Sequence, residues 1–138
     1  MQTHTFDPWD AAHRLGITII RTPLRHARAY TDGCRTIWLD SRLPYCEARC
    51  SLSHELAHVV HGHTGQQSPE TEDLIRKVTA RWLIAWPDLM AEMGEQVPLE
   101  WVAEALCATP DIILDRIAYA TPAELEMLRS ATCEPSLA

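Results

Sequence analysis

The sequence has little that would suit a membrane-bound or secreted protein. No apolar run approaches the roughly 20 residues that cross a bilayer. The first residues, MQTHTFDPWD, lack the basic segment and apolar stretch of a signal peptide. The five cysteines are an odd number, so they cannot all pair within the chain. We therefore expect a cytoplasmic protein with reduced thiols and no membrane partner.

An excess of positive charge is also missing. The 12 Lys and Arg residues are outnumbered by 19 Asp and Glu residues, and the formal net charge is −7. Contact with nucleic acid or anionic lipid depends on clustered basic side chains. We therefore expect no direct binding to nucleic acid, whereas a protein or peptide partner is compatible with this charge.

The length and composition are typical of one globular domain. A chain of this length buries on the order of 70% of its unfolded surface, and 46% of the residues are hydrophobic. The residue patterns predict an α+β fold that is mostly helical. We expect a single domain over residues 1–138, with a core in 1–94 and a C-terminal helical extension in 95–138.

Strand signals cluster near the N-terminus. Ile17–Ile20 is rich in β-branched residues. Ala27–Tyr30 and Cys34–Leu39 flank Asp32-Gly33, which is a hairpin turn signal. These segments predict a sheet of two or three strands that packs on the helix following it.

Helices are predicted for most of the remaining chain, and several begin with proline in the first turn. Pro87 is expected to end the helix that begins at Ser68. Thr121 and Glu124 form a capping box, in which the Glu124 side chain reaches back to the Thr121 N–H. Residues Cys133–Ala138 are expected to fray. The predicted helices cover 7–16, 44–61 and 68–86, and two more begin at Thr109-Pro110 and Thr121-Pro122.

The segment SLSHELAHVVHGH, residues 51–63, contains the motif HExxH. Residues four apart lie about one turn apart on the same face of a helix, so His54 and His58 can both bind one Zn²⁺ ion. Glu55 lies one residue round the helix, where it can act as a general base on a metal-bound water. Apolar residues surround the motif, which is the helical context that this chemistry requires.

A tetrahedral catalytic zinc needs a third protein ligand and leaves one position for water. Thr64 occupies the position where metzincins have a third histidine, which argues against that class. An acidic residue of the next helix is the other common solution, and Glu70, Glu72 and Asp73 are the candidates. Glu72 is favoured because it lies far enough into the helix to be held rigidly.

Two cysteines precede the histidines with the same spacing of four residues, as in a Cys₂His₂ zinc set. Twelve residues of helix span about 18 Å, so one ion cannot bind all four side chains. We interpret Cys46 and Cys50 as small, buried, apolar residues of the helix.

The last two histidines of the segment do not belong to the motif. His61 is interpreted as a surface or supporting residue near the helix end, and His63 as a surface residue or a substrate contact. An oxyanion formed during hydrolysis would need a further donor. The candidate donors are Tyr30, Tyr45, His61 and His63.

Two stretches of the chain resemble the ImmA/IrrE-type metallopeptidases, in the small form found in phages and mobile elements. They read IWLDSRLPYCEARCSLSHELAHVVHGH and ETEDLIRKVTARWLI. The resemblance extends from about residue 7 to 130 and is strongest over 36–84. It implies that His54 and His58 are zinc ligands, Glu55 the general base and Glu72 the acidic ligand. The family's usual Ala-Asn pair after Glu72 is replaced by Ile75-Arg76.

The resemblance implies a zincin-like fold and zinc-dependent endopeptidase action on a regulatory protein, commonly a helix-turn-helix repressor. The alternative is an anti-repressor on the same scaffold, which binds the repressor without cleaving it. The stretch PLEWVAEALCATPDIILDRI has a helix-turn-helix appearance, but from residue 98 onward two basic residues face seven acidic ones. This charge favours packing on the core, or binding a protein, over contact with DNA.

Overall fold

The computed structural model of the protein describes residues 6–132, so the fraying expected for Cys133–Ala138 lies outside the described residues. Within 6–132 there are seven helices and a three-stranded sheet near the N-terminus, which confirms the predicted α+β class. None of these helices is long and apolar enough to cross a membrane. The elements are α1 (Pro8–Arg14), β1 (Thr18–Thr22), β2 (Ala29–Thr31), β3 (Thr36–Asp40), α2 (Tyr45–Val60), α3 (Pro69–Leu83), α4 (Trp86–Glu92), α5 (Leu99–Ala105), α6 (Pro110–Ala118) and α7 (Pro122–Thr132).

The sheet has the strand order β1–β3–β2, with β1 parallel and β2 antiparallel to the central strand β3. The predicted hairpin joins β2 to β3. The Asp32 carboxylate accepts hydrogen bonds from three N–H groups of the turn, those of residues 34, 35 and 36. Gly33 has a φ of +76°, and a Cβ there would lie 2.2 Å from the carbonyl oxygen of His63, so the position requires glycine. The turn therefore packs directly against the loop that follows α2.

Helix α2 contributes to two apolar clusters. In the first, which we call the sheet-side core, Leu52 and Leu56 pack with Ile37 and Leu39 of β3. All four side chains are almost completely buried. The second cluster, which we call the helical-side core, includes Cys50, Leu83, Trp86, Leu89, Leu106 and Ile113.

Arg49 of α2 is buried in contact with several backbone segments. Its side chain is 2% exposed, and the guanidinium donates to the carbonyl oxygens of Leu83, Leu106 and Cys107. Leu83 ends α3 and Leu106 follows α5, so the cation meets the negative ends of two helix dipoles. Burial nevertheless lowers the pKa of Arg49 below its usual value.

Two ion pairs attach α6 to neighbouring helices. Arg116 donates to both carboxylate oxygens of Glu124, at 2.9 and 2.8 Å, and this contact is the main reason that the pKa of Glu124 falls to about 2. Glu124 also accepts from the Thr121 N–H, which confirms the predicted capping box. Arg76 of α3 donates to both carboxylate oxygens of Asp115, at 3.2 and 2.6 Å.

The expectation that all thiols are reduced is wrong, because Cys46 of α2 forms a disulfide with Cys107. The interpretation of Cys46 as a simple buried apolar residue is corrected by the same bond. Helical spacing could not indicate a partner 61 residues away. Cys50 is buried as predicted, and Cys34 and Cys50 are free thiols within residues 6–132.

The end predicted for the third helix is also wrong. Helix α3 ends at Leu83, because Ile84 adopts an extended backbone with φ −123° and ψ 107°. Pro87 lies in the first turn of α4 and does not terminate a helix. Proline fits that position because a first-turn N–H has no partner within the helix.

Candidate metal centre

Helix α2 places His54 and His58 side by side on one face. Their ring centroids lie 5.0 Å apart, with the ring planes at 72°. The helix is continuous from Tyr45 to Val60 and is followed by Gly62 at a φ of +72°. The two imidazoles therefore have the relation that the i, i+4 spacing predicts.

Helix α3 brings Glu72 to both histidines. Its Oε1 atom lies 3.3 Å from Nε2 of His54 and 3.0 Å from Nε2 of His58. The ligand atoms of a tetrahedral site with bonds of about 2.0–2.1 Å lie roughly 3.3 Å apart. The three ligand atoms all lie within 4.8 Å of one another, so this group could hold one metal ion.

The packing of α3 explains why Glu72 can be held in this position. Ile75 and Thr79, one and two turns further along the helix, are fully buried. The Ser68 side chain caps the start of the helix by accepting from the Thr71 N–H at 3.2 Å. Glu72 thus projects from a capped helix whose neighbouring face is fixed in the interior.

His63 supports the site from the loop that follows α2. Its Nδ1 atom lies 3.2 Å from Nδ1 of His58, so one ring donates a hydrogen bond to the other. A histidine that binds metal through Nε2 is usually oriented by a partner at its other nitrogen. His61 instead bonds the carbonyl oxygen of Ala57 through Nδ1 at 2.8 Å. His63 therefore has the position of a supporting residue, a role that its place in the loop did not indicate.

Burial shifts the pKa values of two groups at the site, His54 and Glu55. It lowers the pKa of His54, with the neighbouring His58 as the next cause, and this favours the neutral ring that binds metals. Burial also raises the pKa of Glu55 to about 7, and the Glu72 carboxylate adds to this rise. In the part of the chain that the structure describes, no other residue forms a hydrogen bond or ion pair with the Glu55 carboxyl. The group is therefore available to a water or a substrate.

A cleft of about 310 Å³ opens beside His54 and Glu55. Helix α2 forms its floor, the start of β2 forms one wall and the start of α6 forms the other. No motif marks the residues of the two walls, and most of them lie far from Glu55 in sequence, so sequence analysis missed them. The wall residues are Arg28, Ala29, Thr109, Asp111 and Ile112.

The other two acidic candidates, Glu70 and Asp73, do not belong to the group that could hold a metal ion. Glu70 is exposed, and Asp73 forms an ion pair with Arg76 at 3.6 Å. Tyr30 and Tyr45 each stack on a tryptophan ring. None of the four candidate oxyanion donors lines the cleft.

One helix carries HExxH and packs against a small mixed sheet, and an acidic side chain of the next helix contacts both histidines. This arrangement defines a zincin-like domain. The family of this chain follows from comparison with known proteins. The chain belongs to the Peptidase M78 family, whose model, described as the IrrE N-terminal-like domain, matches residues 12–93. This match confirms the resemblance to ImmA/IrrE-type proteins and supports a peptidase. No curated protein and no solved structure gives a significant match.

Proposed function

We propose that the protein is a zinc-dependent endopeptidase of the cytoplasm that cleaves a regulatory protein, such as a helix-turn-helix repressor of a phage or mobile element. The observation that carries the proposal is the convergence of His54, His58 and Glu72 beside Glu55 at an open cleft. Two imidazoles and one carboxylate are a typical ligand set for catalytic zinc. Membership of Peptidase M78 supports the reaction class. The repressor as substrate rests on the resemblance to ImmA/IrrE-type enzymes.

When bound by the three ligand residues, zinc would polarise the scissile carbonyl group and lower the pKa of the attacking water. The Glu55 carboxylate would take a proton from that water and pass it to the leaving amine. A pKa of about 7 suits a group that must accept and then donate a proton near neutral pH. His63 would hold the His58 ring in orientation through the contact between their Nδ1 atoms.

Glu55→Gln tests the proposal, because it removes the base while leaving all three ligand residues in place. We expect one equivalent of zinc in both the wild type and the variant, measured by elemental mass spectrometry. A regulator that co-purifies with the inactive variant then serves as the substrate. We expect the wild type to cleave it and the variant to cleave it at least about 100-fold more slowly. Cleavage by the variant at the wild-type rate would contradict the role of Glu55.

The same experiment separates the enzyme from a non-catalytic anti-repressor. An intact, stable complex with both the wild type and Glu55→Gln would support the anti-repressor.

Glu72→Ala tests the metal site. Glu70→Ala is its matched control, because both residues lie in the first turn of α3. Glu72→Ala should lower the zinc content and Glu70→Ala should not, so equal zinc content in the two variants would contradict the ligand set.

A further inference from the structure

The cleft beside Glu55 has one wall that lies outside the family match. Arg28, which precedes β2, and Ala29, which begins it, belong to the matched region 12–93. Asp111 and Ile112, in the first turn of α6, belong to the C-terminal helices beyond it. The family domain alone therefore leaves the cleft open on one side, and the C-terminal helices complete it.

The second wall is held in place from three directions. The disulfide between Cys46 and Cys107 attaches the segment before α6 to the first turn of α2. Ile113, next in the chain to the wall residues, is fully buried in the helical-side core. Asp115, one turn further along α6, pairs with Arg76 of α3 at 2.6 Å. These contacts fix the wall relative to the floor of the cleft.

The two walls carry opposite charges. Arg28 and Asp111 are both exposed side chains at the cleft. Neither forms an ion pair or a side-chain hydrogen bond with another residue of the described range 6–132. Ala29 and Ile112 add apolar surface beside them. The cleft thus presents a cation on one side, an anion on the other and apolar surface from both walls.

We infer that this cleft binds the substrate residues next to the scissile bond, with Arg28 selecting an acidic side chain and Asp111 a basic one. The inference rests on the proposed peptidase function and adds the class of substrate: an extended polypeptide segment with two opposite charges near the cleavage point. A volume of about 310 Å³ is at the lower end of the range for ligand pockets, which suits a few side chains rather than a folded surface. Arg28 and Asp111 are then specificity residues.

Profiling of cleavage sites in a proteome-derived peptide library tests the inference. The variants are Arg28→Glu and Asp111→Lys. Their matched controls are Arg25→Glu and Glu104→Lys, which reverse exposed charges outside the cleft. Circular dichroism and zinc content establish that each variant is folded.

We expect wild-type cleavage sites to favour an acidic residue at one position and a basic residue at another. Arg28→Glu should reduce the acidic preference about tenfold, and Asp111→Lys should do the same to the basic preference, because like charges would then meet. The two controls should keep the wild-type profile. Unchanged profiles in both cleft variants, with cleavage still abolished by Glu55→Gln, would overturn the inference and leave the proposed function standing. A library left intact by a wild type that still cleaves its regulator would also overturn the inference and leave the proposed function standing, whereas a wild type that cleaves neither would contradict both.

Discussion

The two sides of helix α2 are stabilised by different kinds of contact. The sheet-side core is apolar throughout, with Leu52 and Leu56 against Ile37 and Leu39. The helical-side core is also apolar, but directional contacts surround it. These are the Cys46–Cys107 disulfide, the hydrogen bonds of Arg49 to backbone carbonyls, and the Arg76–Asp115 and Arg116–Glu124 ion pairs.

Each side of α2 positions one wall of the cleft, and the contacts that position the two walls differ in kind. Burial of apolar surface is non-directional, and positions within such a layer are set by the close packing of its side chains. Charge-assisted hydrogen bonds and a disulfide have defined geometry. The wall formed by the start of α6 depends on such contacts, whereas the opposite wall belongs to a strand already fixed by the sheet. The position of the C-terminal helices is therefore set by directional contacts in addition to apolar packing.

Removal of the covalent contact should have the largest effect on stability. The disulfide joins residues 61 apart, and the Cys46→Ser, Cys107→Ser double variant should lose about 4 kcal/mol of unfolding free energy relative to the oxidised wild type. Urea unfolding measures this difference. Cys34→Ser replaces an exposed free thiol and should leave the stability unchanged. A double variant as stable as the wild type would show that the helical side does not depend on the bond.

A deletion in the sheet-side core should have the next largest effect. Leu52 is fully buried there, so Leu52→Ala should lower the unfolding free energy by about 3 kcal/mol through lost burial and a residual cavity. Leu15→Ala is the matched control, because Leu15 is 58% exposed. The loss should be the same with and without reductant, since the sheet side contains no disulfide. A loss that disappears under reducing conditions would mean that the two sides are not independent.

The same comparison explains which parts of the fold could be predicted from the sequence. The sheet side depends on local signals, namely the β-branched stretch Ile17–Ile20 and the Asp32-Gly33 turn, and the strand and the hairpin were both predicted. The helical side depends on contacts between distant residues. Nothing in the local sequence distinguishes Arg49 from an ordinary helical residue, because its carbonyl partners lie 34 to 58 positions away. Helix propensity likewise could not indicate the break at Ile84.

The candidate site shows the same division. His54, Glu55 and His58 are close in sequence, and their spacing alone places them together. Glu72 required helix position and family resemblance, because its neighbours Glu70 and Asp73 have the same chemistry. The departure at Ile75-Arg76 has a structural reason that becomes visible only in three dimensions. Ile75 is fully buried in the interior, and Arg76 pairs with Asp115 of α6, so Arg76 attaches the C-terminal helices to α3.

Acid should weaken the helical side through Glu124, and this is the smallest of the expected effects. The folded-state pKa of Glu124 is about 2, against an ordinary value of 4.5, because Arg116 stabilises the ionised form. A lowered pKa stabilises the fold fully above pH 4.5, and this contribution is lost as the pH falls towards 2. Glu124→Gln should therefore lower the unfolding free energy at pH 7 by about 1 kcal/mol. It should also reduce the loss of stability between pH 4.5 and 2.

Urea unfolding at pH 7, 4 and 3 measures both effects, and Glu126→Gln is the matched control because Glu126 is an exposed acid of the same helix. Leu52→Ala should keep the acid dependence of the wild type, since its lost contacts are apolar. Acid dependence that is unchanged in Glu124→Gln would mean that the Arg116 pair does not stabilise the fold. If the dependence changes in Glu124→Gln and not in Leu52→Ala, titration acts on the directional contacts of the helical side and leaves the sheet-side core intact.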